Sequence, residues 1–105
     1  MFLNIIEDKN PKDKQGKTPL HIAVEYGHTE IVKMILPMVK DKNPKDVAEK
    51  TPLHFAAERG HTEIVKMILN VAEDKNPKDK NGNTPLSLAK HRGHLDVSSI
   101  ISNAI

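Results

Sequence analysis

The stretch Thr51-Pro52-Leu53-His54-Phe55-Ala56-Ala57 decides the reading of this chain. Its start recurs as Thr18-Pro19-Leu20-His21 and, with one change, as Thr84-Pro85-Leu86-Ser87, so the period is 33 both times. A fixed period in this range marks an array of stacked repeats rather than one irregular core. The chemistry within the stretch is that of a helix start. A threonine hydroxyl accepts a hydrogen bond from a free N–H of the first turn, and proline at the first helical position loses nothing by lacking a donor.

Working outward, Leu20, Ala23 and Val24 fall on one helical face, and Gly27 ends the first helix after about two turns. A second helix starts near His28 and Thr29. Ile31, Val32, Ile35 and Leu36 are expected on its buried side, with Glu30 and Lys33 facing water. Helices this short are marginal alone and must be held by packing. Residues 28–36 and 61–69 are the same nine residues, and roughly 23 of the 33 positions in 11–43 recur in 44–76. Before each module stands Asn-Pro-Lys-Asp, at 10–13, 43–46 and 76–79. Proline makes this stretch extended and turn-like. Gly16 and Gly82 mark turn tips projecting from the helices, tightened by Asp13 and Asp79 bonding backbone N–H groups two residues on.

The pattern Thr-Pro-Leu-His-x-Ala, then Gly-His-x-Glu-Ile-Val at period 33, resembles the ankyrin repeat. The resemblance covers nearly the whole chain. It implies an all-α solenoid of stacked helix-turn-helix modules with projecting β-turn or hairpin loops. The single domain, 1–105, divides into a half-repeat or N-terminal cap (1–10), two full repeats (11–43 and 44–76) and a third that serves as C-terminal cap (77–105). Residues 1–13 match 67–79, so the chain starts inside a second helix. Apolar Phe2, Leu3, Ile5 and Ile6 there predict either a makeshift cap or a cut edge that self-associates; a monomer is otherwise expected.

The resemblance also implies function. Members of the family bind other proteins through turn tips and the first-helix surface and carry no catalytic site. The positions that contact partners map to Lys14, Gln15, Lys17 and Tyr26 in the first module. They map to Val47, Ala48, Lys50, Glu58 and Arg59 in the second, and to Lys80, Asn81, Asn83, His91 and Arg92 in the third. Tyr26, Arg59 and the pair His91/Arg92 are expected to form one strip, and Phe55 to lie in the core. The partner is another protein. The alternative is a scaffold without an evolved partner, made by duplication or design, which the identical nine-residue blocks favour.

Other chemistry finds little footing. Sixteen basic and 14 acidic residues interleave to a net charge of +2, which argues against nucleic-acid binding. No cysteine is present, and no apolar run approaches a membrane span, so an intracellular, cytoplasmic location is expected. Five of the six histidines, His21, His28, His54, His61 and His94, sit at framework positions. Their repeat spacing of about 8–10 Å exceeds what a shared metal tolerates, so neither metal nor cofactor is expected. Three copies of Thr-x-x-His/Ser speak for scaffold chemistry, whereas a catalytic site needs one particular arrangement. The lysine-rich Asp-Lys-Asn-Pro-Lys-Asp segments read as solvated turns, with a ladder of Lys12, Lys45 and Lys78 facing an acidic partner as the minority reading.

Departures from the repeat carry expectations of their own. In the middle tip Asp46-Val47-Ala48-Glu49-Lys50 lacks the glycine, so either Glu49 adopts positive φ or the turn changes shape. Pro37 should end or bend the second helix of the first module, with Met38 and Val39 still tucked inward. The glycine that usually stops the second helix is missing, the segments reading Val39-Lys40-Asp41 and Ala72-Glu73-Asp74. In the last helix Ser98 and Ser99 are read as taking the places of Lys and Met, giving a more polar outer surface.

Overall fold

The computed structural model describes residues 12–105. The half-repeat proposed for residues 1–10 lies outside the described residues. Six α-helices follow in pairs: α1 (Pro19–Glu25) and α2 (Thr29–Ile35), α3 (Pro52–Arg59) and α4 (Thr62–Val71), α5 (Pro85–His91) and α6 (Leu95–Ala104). The described residues contain no strand. Each pair packs on itself, and equivalent helices pack on each other, so α1, α3 and α5 form one row and α2, α4 and α6 a second. The aliphatic core lies between the rows. Leu20, Val24, Leu53, Val65, Ile68 and Ile101 are fully buried, in thin layers rather than one deep centre.

The helix starts follow the threonine chemistry. Thr18 and Thr51 Oγ1 accept from the backbone N–H of His21 and His54 at 3.3 Å, and the histidine Nδ1 accepts in return from the threonine N–H at 3.1 and 3.0 Å. These are reciprocal capping boxes with histidine in the place usually held by Glu or Gln. Ser87 completes the same box at Thr84 through Oγ.

Gly27 and Gly60 close the first helices of their modules with φ of 69° and 72°. Space as well as conformation requires glycine here. A Cβ on Gly27 would meet the His61 ring at 2.8 Å, and one on Gly60 would meet the His94 ring at the same distance. Each first-helix end is thus roofed by the histidine that opens the next module's second helix.

Pro37 acts as expected. Helix α2 stops at Ile35 and continues as a 3₁₀ turn, Leu36–Met38, whereas α4, with Asn70 in that place, runs unbroken to Val71. Val39 tucks inward at 6% exposure, but Met38 does not: at 54% it points to solvent, as does its repeat mate Val71 at 43% in the unbroken α4, so this position lies off the buried face in both modules. Ile31 is a second correction. It is 37% exposed, while its repeat mate Ile64 is buried at 1%. Ile64 is covered because α2 packs beside α4, and among the described residues no helix of that row precedes α2.

The middle tip keeps the turn and strains Glu49, whose φ is 61°. Its bonds reproduce those of the first tip: Asp46 N–H to Lys50 C=O and Glu49 N–H to Asp46 C=O, both 2.9 Å, as Asp13 to Lys17 and Gly16 to Asp13. In all three tips the aspartate Oδ1 accepts two backbone N–H groups at 2.9 Å.

Lysines replace the missing glycine stop. Lys42 Nζ donates to the carbonyls of Leu36 (2.8 Å) and Val39, and Lys75 Nζ donates to Ala72 (2.7 Å). A cation on the last carbonyls satisfies orphan acceptors and opposes the negative end of the helix dipole. Asn43 Oδ1 accepts from Leu53 N–H at 3.1 Å. These segments are therefore bonded to the framework, while Asp41, Lys45, Asp74 and Lys78 stay exposed.

Ser98 and Ser99 stand in register with Val65 and Lys66, not with Lys and Met as the sequence reading had it. Ser98 is buried, and its hydroxyl donates to Leu95 C=O at 3.0 Å. The more polar outer surface comes from other places. Ser87, Lys90 and Ser102, all exposed, stand in register with buried His54, Ala57 and Leu69 of the preceding module.

Candidate interaction face

The projecting tips are joined edge to edge by single backbone bonds. Val47 N–H donates to Gln15 C=O at 2.9 Å, and Lys80 N–H donates to Ala48 C=O at 3.0 Å. Two of the expected contact positions, Gln15 and Ala48, thereby use their backbone to hold the next tip while Gln15 keeps its side chain in solvent. Lys14, Val47, Lys80 and Asn81 are exposed, and Ala48 and Asn83 are half-buried. Val47 is 59% exposed, an apolar side chain at the centre of the row of tips.

Behind the tips the framework reaches across each module boundary. His21 Nδ1 accepts from the Thr18 N–H, so the proton sits on Nε2, which donates to Lys50 C=O at 2.9 Å. His54 repeats this on Asn83 C=O at 2.9 Å. Burial holds both imidazoles below the usual histidine pKa, because an imidazolium there would be desolvated and its Nδ1–H would oppose a donor. Lys50 and Asn83, expected on the contact face, thus anchor the stack through their carbonyls.

The ends of the first helices carry an ion-pair ladder. Glu25 pairs with Lys17 at 3.0 Å and with Arg59 of the next module at 3.4 Å. Glu58 pairs with Lys50 at 3.9 Å and with Arg92 of the module after at 2.8 Å. Phe55 is buried with its ring edge against His21, and Lys17 and Lys50 Nζ lie 5.1 and 5.7 Å from its centroid. This assigns Phe55 to the core. The ladder was missed in the sequence, although its signal was present: lysine and glutamate eight apart, and glutamate and arginine 34 apart, each occur twice.

Glu25, Tyr26, Glu58, Arg59, His61 and Arg92 surround one open groove of about 580 Å³. Tyr26 is 65% exposed and stacks at 6.2 Å on His28. His91, though exposed, does not line this groove, so the strip contains Tyr26, Arg59 and Arg92 without it. His94 Nε2 bonds Glu58 C=O at 2.9 Å, while the equivalent atom of His61 is buried without a partner. Among the described residues no group of three or more His, Asp or Glu could hold a metal ion, and no helix is long and apolar enough to cross a membrane.

Repeated helix pairs, histidine–threonine boxes and paired tips agree with a comparison against known families. A family model described as ankyrin repeats (3 copies) matches residues 1–46 and 38–104. The chain belongs to the ankyrin-repeat family. No curated protein matches it. Ankyrin repeats generally mediate protein–protein interaction, and the family is typically a non-catalytic scaffold. The ladder shows how a scaffold position and a surface position can coincide. Glu25 and Glu58 are mostly buried by their partners, while the Arg59 and Arg92 side chains stay about half exposed, at 49% and 56%. The arginines therefore present guanidinium groups already held in place. Holding them in advance reduces the side-chain entropy lost when a partner binds.

Proposed function

We propose that this chain is a protein-interaction module whose partner contacts the turn tips and the ends of the first helices. The observation that carries the reading is the groove around Tyr26, Arg59 and Arg92. Tyrosine and arginine are the residue types that dominate interface energetics, and here they stand together on a rigid face with Val47 on the neighbouring row of tips. The contact residues on this reading are Tyr26, Val47, Arg59 and Arg92, joined by Lys14, Gln15, Lys80, Asn81 and His91 at the rim. Lys17, Lys50 and Glu58 act through the ladder, and Ala48 and Asn83 mainly position the tips.

The test uses the chain as bait for a partner from a cell lysate, compared with Tyr26→Ala/Arg59→Ala/Arg92→Ala. The triple variant should retain its helical circular dichroism and lose the partner. A control with Glu30→Ala/Lys33→Ala/Lys66→Ala, on the exposed side of the second helices, should keep it. Retention of the partner by the first variant places the contact elsewhere.

A further inference from the structure

The near-neutral chain hides a separation of charge. The segments holding tips and first helices, 12–26, 45–59 and 78–92, contain ten of the 16 lysines and arginines but six of the 14 acidic residues, so they carry +4. The remainder, with six basic and eight acidic residues, carries −2. Five of the six acids in these segments are already engaged in hydrogen bonds or ion pairs. Asp13, Asp46 and Asp79 each use Oδ1 on two backbone N–H groups of their own tip. Glu25 and Glu58 are locked in the ladder. Glu49 alone of the six has no bond or pair from its carboxylate among the described residues. The basic side is the reverse. Lys12, Lys14, Lys45, Lys78, Lys80 and Lys90 are exposed and pair with no carboxylate among the described residues, and Arg59 and Arg92 remain half exposed.

We infer that the partner segment received by this face is acidic and extended, with a carboxylate at about every third residue. The inference rests on the protein-interaction reading above. The module spacing supplies the periodicity. Neighbouring helices pack about 8–10 Å apart, and three residues of an extended polyproline-type chain rise about 9.3 Å. One carboxylate per turn of such a segment therefore meets one module's lysines. Val47 and Tyr26 add exposed apolar side chains to the same segments. A nucleic acid is the poorer fit. Single-strand binders combine basic grooves with stacking platforms, and Tyr26 is the one exposed tyrosine or phenylalanine among the described residues.

The experiment measures fluorescence anisotropy of three labelled probes with the full 105-residue chain: a peptide with glutamate at every third position, its glutamine counterpart, and oligothymidylate. The glutamate peptide should bind and the glutamine peptide should not, with affinity falling as salt is raised. Lys45→Glu/Lys78→Glu/Lys80→Glu should weaken binding by about tenfold. Lys→Gln at the same positions supplies a second variant should charge reversal disturb the fold. Lys33→Glu/Lys66→Glu should leave binding unchanged. Equal binding of both peptides, equal loss on the outer-face variant, or tighter binding of oligothymidylate overturns the inference. If the glutamate peptide fails while the Tyr26/Arg59/Arg92 variant still loses its lysate partner, the charge inference falls and the interaction face stands. If both fail, the interaction reading falls as well.

Discussion

Replacing Glu49 by glycine should stabilise the protein, and the size of the gain can be worked from the structure. Glu49 holds φ at 61°, in the left-handed region where a side chain crowds the backbone, at a cost of about 1–2 kcal/mol. Its carboxylate has no hydrogen bond or ion pair among the described residues, and its N–H bond to Asp46 C=O survives the substitution. Against the relief stands the greater freedom of glycine in the unfolded chain, about 0.4–1 kcal/mol. The difference spans about 0–1.6 kcal/mol and centres on about 0.8 kcal/mol, a rise in Tm of about 3–6 °C for a domain of this size. Urea and thermal unfolding by circular dichroism measure it. Glu49→Gln separates backbone from charge and should change little, and Glu49→Asn should fall between, since asparagine tolerates this conformation. The mirror experiment is Gly82→Ala, at the same place in the third tip with φ of 82° and open space around a Cβ. It should lose about what Glu49→Gly gains, because only the backbone conformation is perturbed. The reasoning is refuted if Glu49→Gly leaves Tm unchanged or lowers it, or if Glu49→Gln raises it equally.

Two further outcomes follow from the module boundaries. Gly60→Ala should cost clearly more than Gly93→Ala in urea unfolding. Both have positive φ, but only at Gly60 does a Cβ meet the His94 ring at 2.8 Å, and equal losses would show that this contact is soft. Stability should also fall with acid. The folded-state pKa values of His21 and His54 lie below that of an unfolded histidine, so the unfolded chain binds more protons. Their contribution is complete above about pH 6.5 and is lost as pH drops below it, with a slope of up to about 1.4 kcal/mol per pH unit for each. Urea midpoints taken from about pH 7.5 down to 5 test this, and a flat profile would mean that both rings protonate in place.

Most of the framework was legible because its causes are local. Thr18, Pro19 and Gly27 set a helix start and stop through their own backbone chemistry, so three copies at one period sufficed to place α1, α3 and α5. Glu49 was legible for the same reason, since a glycine position in a fixed turn demands positive φ whatever occupies it. The errors fall where burial depends on a neighbour. Ile31 and Ile64 are identical in sequence context, and only packing against a preceding helix tells them apart. Met38 and its repeat mate Val71 are both exposed, with the proline and without it, so the position lies off the buried face whichever turn closes the helix. The lysine stops at 42 and 75 were hidden because each side chain folds back on the helix before it, which no periodicity reports.

The same distinction separates the scaffold from the candidate site. The bonds that join the tips and first helices of neighbouring modules link residues 29 to 36 apart, as in His21 to Lys50, Glu25 to Arg59 and His94 to Glu58. Each module is thereby tied to its neighbour through both the buried histidines and the exposed ladder. A surface substitution at Arg59 therefore acts on a boundary as well as on the proposed contact face. The third module has no successor among the described residues, and its matching positions lack the cross-boundary groups. Ser87 keeps the capping box of His54 without the reach of an imidazole, His91 stands in place of Glu58, and Lys90 in place of Ala57. His91, Lys90 and Asn81 thus face solvent without a bridging task among the described residues. They are the positions of the proposed contact face where a substitution should test partner binding with the least disturbance of the stack.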